Sequence, residues 1–279
     1  MIDLHSHTTE SDGTLTPSEL VAAALEAKLE ALAITDHDTF AGYYAAIPFS
    51  RDAGLELLCG IELSTKINTG ARRTVHLLGY FLKSPPAADF CEWLVRMQES
   101  RRDRNRRLAA KLQSMGMDVR IEEVEAVGRT MAGRPHFAQI MVSKGYVPHY
   151  RAAFDMYLDE SASAYVDREE PSLEEGIRRI REAGGVTSIA HPIRLNLSAA
   201  EEEALIQRMA SQGLSALEAY HSDHGPGETE RYLELARKYG LKVTGGSDFH
   251  GDTKPNVKLG SGPGTLAVPR SLLDALVAC

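Results

Sequence analysis

Cysteine is scarce in this sequence: the 279 residues hold three, Cys59, Cys91 and Cys279, with no C-x-x-C pair among them. That spacing argues against a disulfide framework and leads us to expect reduced thiols in a cytoplasmic setting. Long apolar runs are also missing. No stretch approaches the roughly 18 residues of a membrane helix, so no membrane association is expected. Positive charge is not in excess, with 31 Lys and Arg against 39 Asp and Glu and a net charge of -8. A general nucleic-acid scaffold is thereby disfavoured, although a local basic groove stays open. Met1-Ile2-Asp3-Leu4-His5 enters structure at once, without the basic and apolar regions of a secretory signal. No internal repeat or low-complexity tract is evident. What is present, 43% hydrophobic and 25% charged residues, fits a soluble cytoplasmic enzyme with a large core. The length allows one large α/β barrel or two ordinary domains.

Read in order, the chain alternates strands and helices. Ile2 to His7 reads as a strand ending in His5-Ser6-His7, and Thr16-Pro17-Ser18-Glu19 is a capping box that starts a helix running to about Lys28. The strand Ala31 to Ile34 ends in Thr35-Asp36-His37-Asp38, and the helix after it carries Tyr43 and Tyr44 and is expected to break near Pro48. Leu55 to Cys59 delivers Gly60-Ile61-Glu62, and a strand from Thr74 to Phe81 carries His76. Between Pro85 and Ser163 the reading changes to helices: Glu92 to Met115, Ile121 to Val127, Pro135 to Lys144 and Tyr150 to Asp159. Alternation then resumes. Boxed helices begin at Ser172 and Ser198, a third covers Glu228 to Tyr239, and strands deliver Ala190-His191-Pro192, His221-Ser222-Asp223-His224 and Gly245-Gly246-Ser247-Asp248-Phe249-His250. Two glycines in the last motif suggest a tight backbone turn. Thr265 to Val268 and Ser271 to Ala278 close the chain as a strand and a helix. About seven strands alternating with helices predict a parallel α/β barrel (residues 1–84 and 164–279) interrupted by a helical insertion (85–163).

Nearly every polar motif falls just after a strand, the face on which barrel active sites are built. Six histidines (His5, His7, His37, His76, His191, His250) and three carboxylates (Asp12, Glu62, Asp248) share that placement. Imidazoles mixed with carboxylates suit Zn, Mn or Fe better than Mg or Ca. Nine ligands exceed one tetrahedral site, which implies two or three divalent transition-metal ions sharing a carboxylate.

His5-x-His7, Asp12, Thr35-Asp36-His37, Gly60-Ile61-Glu62, His76, Ala190-His191-Pro192 and Ser247-Asp248-x-His250 together resemble the polymerase and histidinol phosphatase (PHP) superfamily. The resemblance runs from residue 2 to 250 and fills every ligand position. It implies a distorted (β/α)7 TIM-like barrel around a trinuclear Zn, Mn or Fe centre. One ion would take His5, His7, Glu62 and Asp248, a second Glu62, His76 and His191, and a third Asp12, His37 and His250.

Gly133-Arg134-Pro135-His136 and Tyr220-His221-Ser222-Asp223-His224 resemble PHP proteins acting on nucleoside 3',5'-bisphosphates and on the 5' ends of short RNAs. Arg134, ahead of a helix N-terminus, is either a bidentate phosphate clamp or a capping arginine. His136 is placed beside it as a substrate contact. His224 is a phosphate ligand, a general acid or a loop histidine, and Arg194 is a weaker candidate on the same face. The arginines of 101–107 spread around a helix and read as a solvated face rather than an RNA contact. Tyr43 and Tyr44 either stack a base or pack in the core.

These residues predict a metal-dependent phosphoesterase. Metal-activated water attacks phosphorus in line beside Asp248, Arg134 offsets phosphoryl charge, and His224 protonates the leaving group. The expected substrate is a nucleoside 3',5'-bisphosphate losing its 3'-phosphate, or a short oligoribonucleotide, with no stable protein partner implied. Histidinol-phosphate phosphatase and a C–N amidohydrolase are the alternatives. The second is weakened because no lysine ends a mid-barrel strand to serve as a carbamate bridge.

Overall fold

The computed structural model describes residues 1–69, 71–261 and 266–278. Seven strands form one sheet in chain order: β1 (Ile2–Asp3), β2 (Ala31–Ile34), β3 (Glu56–Thr69), β4 (Ala71–Phe81), β5 (Val186–Ile189), β6 (Ala216–His221) and β7 (Lys242–Gly246). The ends meet. Leu4 N–H donates to Gly245 O at 3.1 Å, and Ser6 bridges Phe249 in parallel, so the sheet curls into a nearly closed barrel. Apolar side chains from β3, β4 and β6 pack outward under helices α7 (Leu173–Glu182), α8 (Ala199–Ser211) and α9 (Pro226–Lys238), in a cluster that includes Ile61, Leu77, Ile177, Ile206 and Leu217.

The barrel is mixed where the sequence suggests a parallel one. β4 runs antiparallel to both β3 and β5, while the other ladders are parallel. A parallel return needs a crossover of a dozen or more residues, whereas an antiparallel one folds straight back. The segment after Glu62 is spent extending β3 itself, which leaves none for a crossover.

β1 is shorter than expected. Only Ile2 and Asp3 are in register with β2, and the next four residues divide their bonds between neighbours. Asp248 N–H donates to His5 O (2.9 Å), Thr35 N–H to Ser6 O (2.9 Å) and His7 N–H to Phe249 O (3.0 Å). This draws His5 and His7 inward. The glycine pair at the end of β7 serves close approach rather than a turn: a Cβ on Gly246 would lie 2.4 Å from the backbone nitrogen of His5.

Helix α1 (Pro17–Glu26) starts as read, with Glu19 N–H bonded to Thr16 Oγ1 and Thr16 N–H to Glu19 Oε2. The same reciprocal box opens α8 at Ser198 and Glu201. At Ser172 only half forms: its hydroxyl accepts from Glu175 N–H, while the Glu175 carboxylate faces Arg179 at 3.5 Å. Helix α2 (Ala41–Ala53) continues through Pro48 without the expected break. Burial of Gly42, Ala46 and Ser50 holds it together against the one missing bond.

The 85–163 segment is helical as read: α3 (Ala88–Ser114), α4 (Ile121–Gly128), α5 (Arg134–Ser143) and α6 (Tyr150–Ala153), the last running into a wider turn over Phe154–Leu158. Its own core includes Leu112, Val124, Phe137, Met141 and Leu158. The 27-residue α3 spans about 40 Å at 1.5 Å per residue. Its first half (Phe90, Trp93, Leu94, Met97) packs into the barrel core, and its second half carries the helical cluster. The segment is therefore anchored by one rigid rod. The expected strand Thr265–Val268 begins outside the described residues. Within them Val268 makes one antiparallel bridge to Ile2 ahead of α10 (Arg270–Val277). Among the described residues no helix is long and apolar enough to cross a membrane.

Candidate metal centre

Glu62 sits at the centre of the histidines, 1% exposed. It lies in β3 diagonal to His76 of β4, because Ser64 is opposite His76 and Glu62 opposite Leu78, so both point to the same face. Its Oε2 lies 3.4 Å from His5 Nε2, 3.1 Å from His7 Nε2 and 3.1 Å from His37 Nδ1. Its Oε1 lies 2.8 Å from His76 Nδ1 and 2.9 Å from His191 Nε2. Five of the six histidines thus converge on one carboxylate.

Asp248, beyond β7, closes the other side. Its Oδ1 lies 3.4 Å from His5 Nε2, His7 Nε2 and His250 Nδ1, while Oδ2 pairs with Lys254 (2.6 Å) and Arg194 (2.9 Å). Asp12, in the loop before α1, faces His250 Nε2 at 3.2 Å and His37 Nε2 at 3.6 Å. The nine expected residues therefore lie in one continuous cluster. Its ligand atoms form overlapping sets, among them His5, His7, Glu62, Asp248 and His7, Asp12, His37, His250.

The donor chemistry fits divalent metal. His5 Nε2, His7 Nε2 and His37 Nδ1 are buried with no hydrogen-bond partner among the described residues. Such atoms are costly unless something occupies them. Burial pushes His37 down to about 3 despite the nearby Glu62 and Asp12, and drives His191 well below the ordinary range, so both present lone pairs. Burial also works against charge on His7, but the Asp248 and Glu62 carboxylates outweigh it and raise that ring to about 9. That proton is one that a cation of higher charge displaces.

A supporting layer holds these rings, and the sequence reading passed over most of it. Glu218 in β6 is fully buried; its Oε1 meets His5 Nδ1 at 2.9 Å and its Oε2 accepts from His191 N–H at 2.6 Å. A carboxylate orienting the far nitrogen of a ligand imidazole is common at metal sites. The available signal was a lone acidic residue inside the apolar strand Ala216-Leu217-Glu218-Ala219. Asp36 accepts from Thr8 N–H (2.7 Å), Thr8 Oγ1 (2.7 Å) and Ser11 Oγ (2.6 Å), fixing the loop that carries Asp12.

A cleft of about 270 Å³ opens over the cluster, lined on one side by Asp12, His37, Glu62, His76, His191, Asp248 and His250. The opposite wall is cationic, with Arg101, Arg104, Arg134 and Arg168. A PHP domain model matches residues 3–163. The chain belongs to the PHP family. It is 34% identical to the 5'-3' exoribonuclease Rnm of Escherichia coli over 251 residues, covering 89% of this chain and 84% of that one. It is 32% identical to a 3',5'-nucleoside bisphosphate phosphatase of Chromobacterium violaceum over 251 residues, covering 89% and 87%. A Bifidobacterium adolescentis protein assigned as a metal-dependent phosphoesterase superposes with a TM-score of 0.85 at 31% identity, over 99% of this chain and 95% of that one. This PHP protein is accordingly a metal-dependent hydrolase of phosphate esters.

The substrate-side residues fare unevenly in this PHP site. Arg134 lines the cleft from the start of α5, donating to Leu158 O at 3.2 Å. Arg194 reaches Asp248 Oδ2 and is steadied by Asp223, whose Oδ2 accepts from Arg194 Nε at 2.7 Å. His136 lines the cleft but spends Nδ1 accepting from Gly133 N–H at 3.0 Å, which makes it a cap for its own helix. His224 is not brought to the cleft. Its Nδ1 meets Ala219 O at 2.9 Å and its ring packs between His221 (5.3 Å) and Tyr232 (4.8 Å). The residue that points inward from that motif is His221. Asp223 N–H donates to its Nδ1 at 2.9 Å, so a neutral His221 carries its proton on Nε2, 3.4 Å from Asp248 Oδ2.

The 101–107 arginines also differ from expectation. Arg101 and Arg104 are 8% and 5% exposed and face the cleft, while Arg102 and Arg106 face solvent. Residues 101 and 104 are one helical step of three apart, so they share a face. Tyr43 packs against the core beside the exposed Tyr44, and neither lines the cleft.

Proposed function

We propose that this PHP protein removes the 3'-phosphate from nucleoside 3',5'-bisphosphates and cleaves at the 5' ends of short RNAs. One observation carries the reading: a single cleft sets a carboxylate–imidazole cluster against a wall of guanidiniums. A substrate with two phosphates needs both poles, whereas a monophosphate needs one. The printed names of the Escherichia coli and Chromobacterium violaceum relatives, an exoribonuclease and a bisphosphate phosphatase, point to the same class.

In this proposal His5, His7, Glu62 and Asp248 hold one ion, Glu62, His76 and His191 a second, and Asp12, His37 and His250 a third, with Mn, Fe or Zn the fitting metals. When bound, such ions lower the pKa of water and polarise phosphoryl oxygens. Glu218 holds His5, and through the His191 backbone the ligand loop after β5. His221 and Lys254 restrain Asp248. Arg194 stands beside Asp248, where charge on the phosphoryl oxygens is offset. Arg134 grips the second phosphate. His224, shielded by His221, takes no part in proton transfer. Protein expressed with ample metal is expected to contain two or three transition-metal ions per chain. With Mn added it is expected to release phosphate from adenosine 3',5'-bisphosphate far faster than from histidinol phosphate. One ion or none, or a preference for histidinol phosphate, refutes the reading.

For Arg134→Ala the expected result is a selective loss. A charge-assisted contact contributes about 1.5–3 kcal/mol, so kcat/KM on the bisphosphate falls roughly ten- to two-hundredfold. An aryl phosphate, lacking the distal group, loses much less. Lysine at 134 restores part of the activity, because a point charge does not reproduce the guanidinium fork. Equal losses on both substrates would place Arg134 at the reacting phosphate instead.

A further inference from the structure

The guanidinium wall contains more positive charge than its neighbours neutralise. Arg101 pairs with Asp38, whose carboxylate also lies 3.5 Å from Arg168, and Arg168 pairs with Glu170 at 2.6 Å. Arg104 and Arg134 make no ion pair with any described carboxylate: Arg104 Nε donates to Asn105 Oδ1 at 3.0 Å, and Arg134 to a backbone carbonyl. Four guanidiniums facing two carboxylates leave two surplus positive charges beside a cleft. Arg104 is 5% exposed, so this charge is not solvated as a surface arginine is. Burial first, then Arg168 and Arg101, push it well below its ordinary pKa. Its position is nonetheless built. Asn105 Nδ2 is tied to Ala132 O at 2.8 Å, which turns Oδ1 toward Arg104 Nε and leaves the forked end of Arg104 for the cleft.

A buried cation without a counterion opposes folding unless a ligand supplies the missing charge. Two surplus charges match a phosphomonoester dianion; an internal phosphodiester carries only one. Forked guanidiniums are also suited to gripping a terminal phosphate from two sides. We propose that Arg104 joins Arg134 to form a seat for a terminal phosphate dianion, so that the enzyme measures its cut from a 5'-monophosphate rather than from base identity. This rests on the two-phosphate reading above and adds the charge state and the second clamp. A free nucleotide and a 5'-phosphorylated RNA end present the same group to this seat.

The test uses full-length Mn-loaded enzyme, wild type, Arg104→Met and Arg104→Lys. Substrates are adenosine 3',5'-bisphosphate, adenosine 3'-monophosphate, and a short RNA with either a 5'-phosphate or a 5'-hydroxyl. Wild type should prefer the 5'-phosphorylated member of each pair. Arg104→Met should shrink that preference about ten- to hundredfold, the size of one charge-assisted contact, with Arg104→Lys between. Collapse in one pair alone identifies which source the seat serves. The ligand-free Tm of Arg104→Met should rise, since an unpaired buried charge has been removed; a structural arginine would lower it. A wild type with no preference in either pair overturns the two-phosphate reading itself. A wild-type preference that Arg104→Met leaves intact, or equal losses on both members with a lowered Tm, overturns the seat alone.

Discussion

Glu62→Gln is expected to reduce phosphate release by at least a thousandfold, about 4 kcal/mol in barrier, with the circular dichroism of the fold retained. Both oxygens of this buried carboxylate face histidines, two through Oε1 and three through Oε2. Glutamine keeps the shape and removes the charge that a shared cation requires. Bound metal measured on the same preparation should fall by at least one ion per chain. Activity within about tenfold of wild type would end the assignment of Glu62 as a shared ligand. Asp248→Asn should behave similarly, with a smaller loss of metal, since only its Oδ1 faces the histidines while Lys254 and Arg194 hold Oδ2.

Asp38→Asn is expected to reduce stability rather than chemistry. Asp38 is buried, accepts from Ser64 N–H at 2.7 Å, pairs with Arg101 and lies 3.5 Å from Arg168. Removing one partner from a buried ionic group leaves the others uncompensated, at about 3–5 kcal/mol. Asparagine tolerates the positive φ of 53° at this position, so the loss reports charge rather than backbone strain. A denaturant series should show the midpoint falling, and the double variant Asp38→Asn/Arg101→Met should recover part of the deficit, because the stranded cation has gone. A single variant within about 1 kcal/mol of wild type, or purely additive losses, would show that the pair contributes little. The acid side follows the same logic. Burial alone would raise the Asp38 pKa, but the two arginines outweigh it and hold the carboxyl below its usual range. Its stabilisation is complete above the unfolded-state pKa of about 3.9 and is withdrawn only as pH falls below that value toward the folded-state one.

The amino-acid sequence by itself determined the parts whose information is local. Helix starts at Thr16, Ser172 and Ser198 follow from side chains that reach their own backbone. The nine histidines and carboxylates were legible because each ends or occupies a strand, and strands of one barrel deliver their ends to one face. Tertiary structure decided what depends on partners distant in sequence. The direction of β4 was not legible, because side-chain alternation has the same period of two in either direction. Arg104 reads as solvated until Arg168, Arg134 and Asn105 close around it, since burial belongs to the neighbours and not to the residue. Asp38 and Glu218 have the same origin: each carboxylate acquires its role from groups 26 to 213 positions away. His224 and His221 differ by three positions and were equal candidates as sequence. The fold separates them, because β6 ends at His221, turning that ring toward Asp248, and the turn that follows packs His224 against Tyr232.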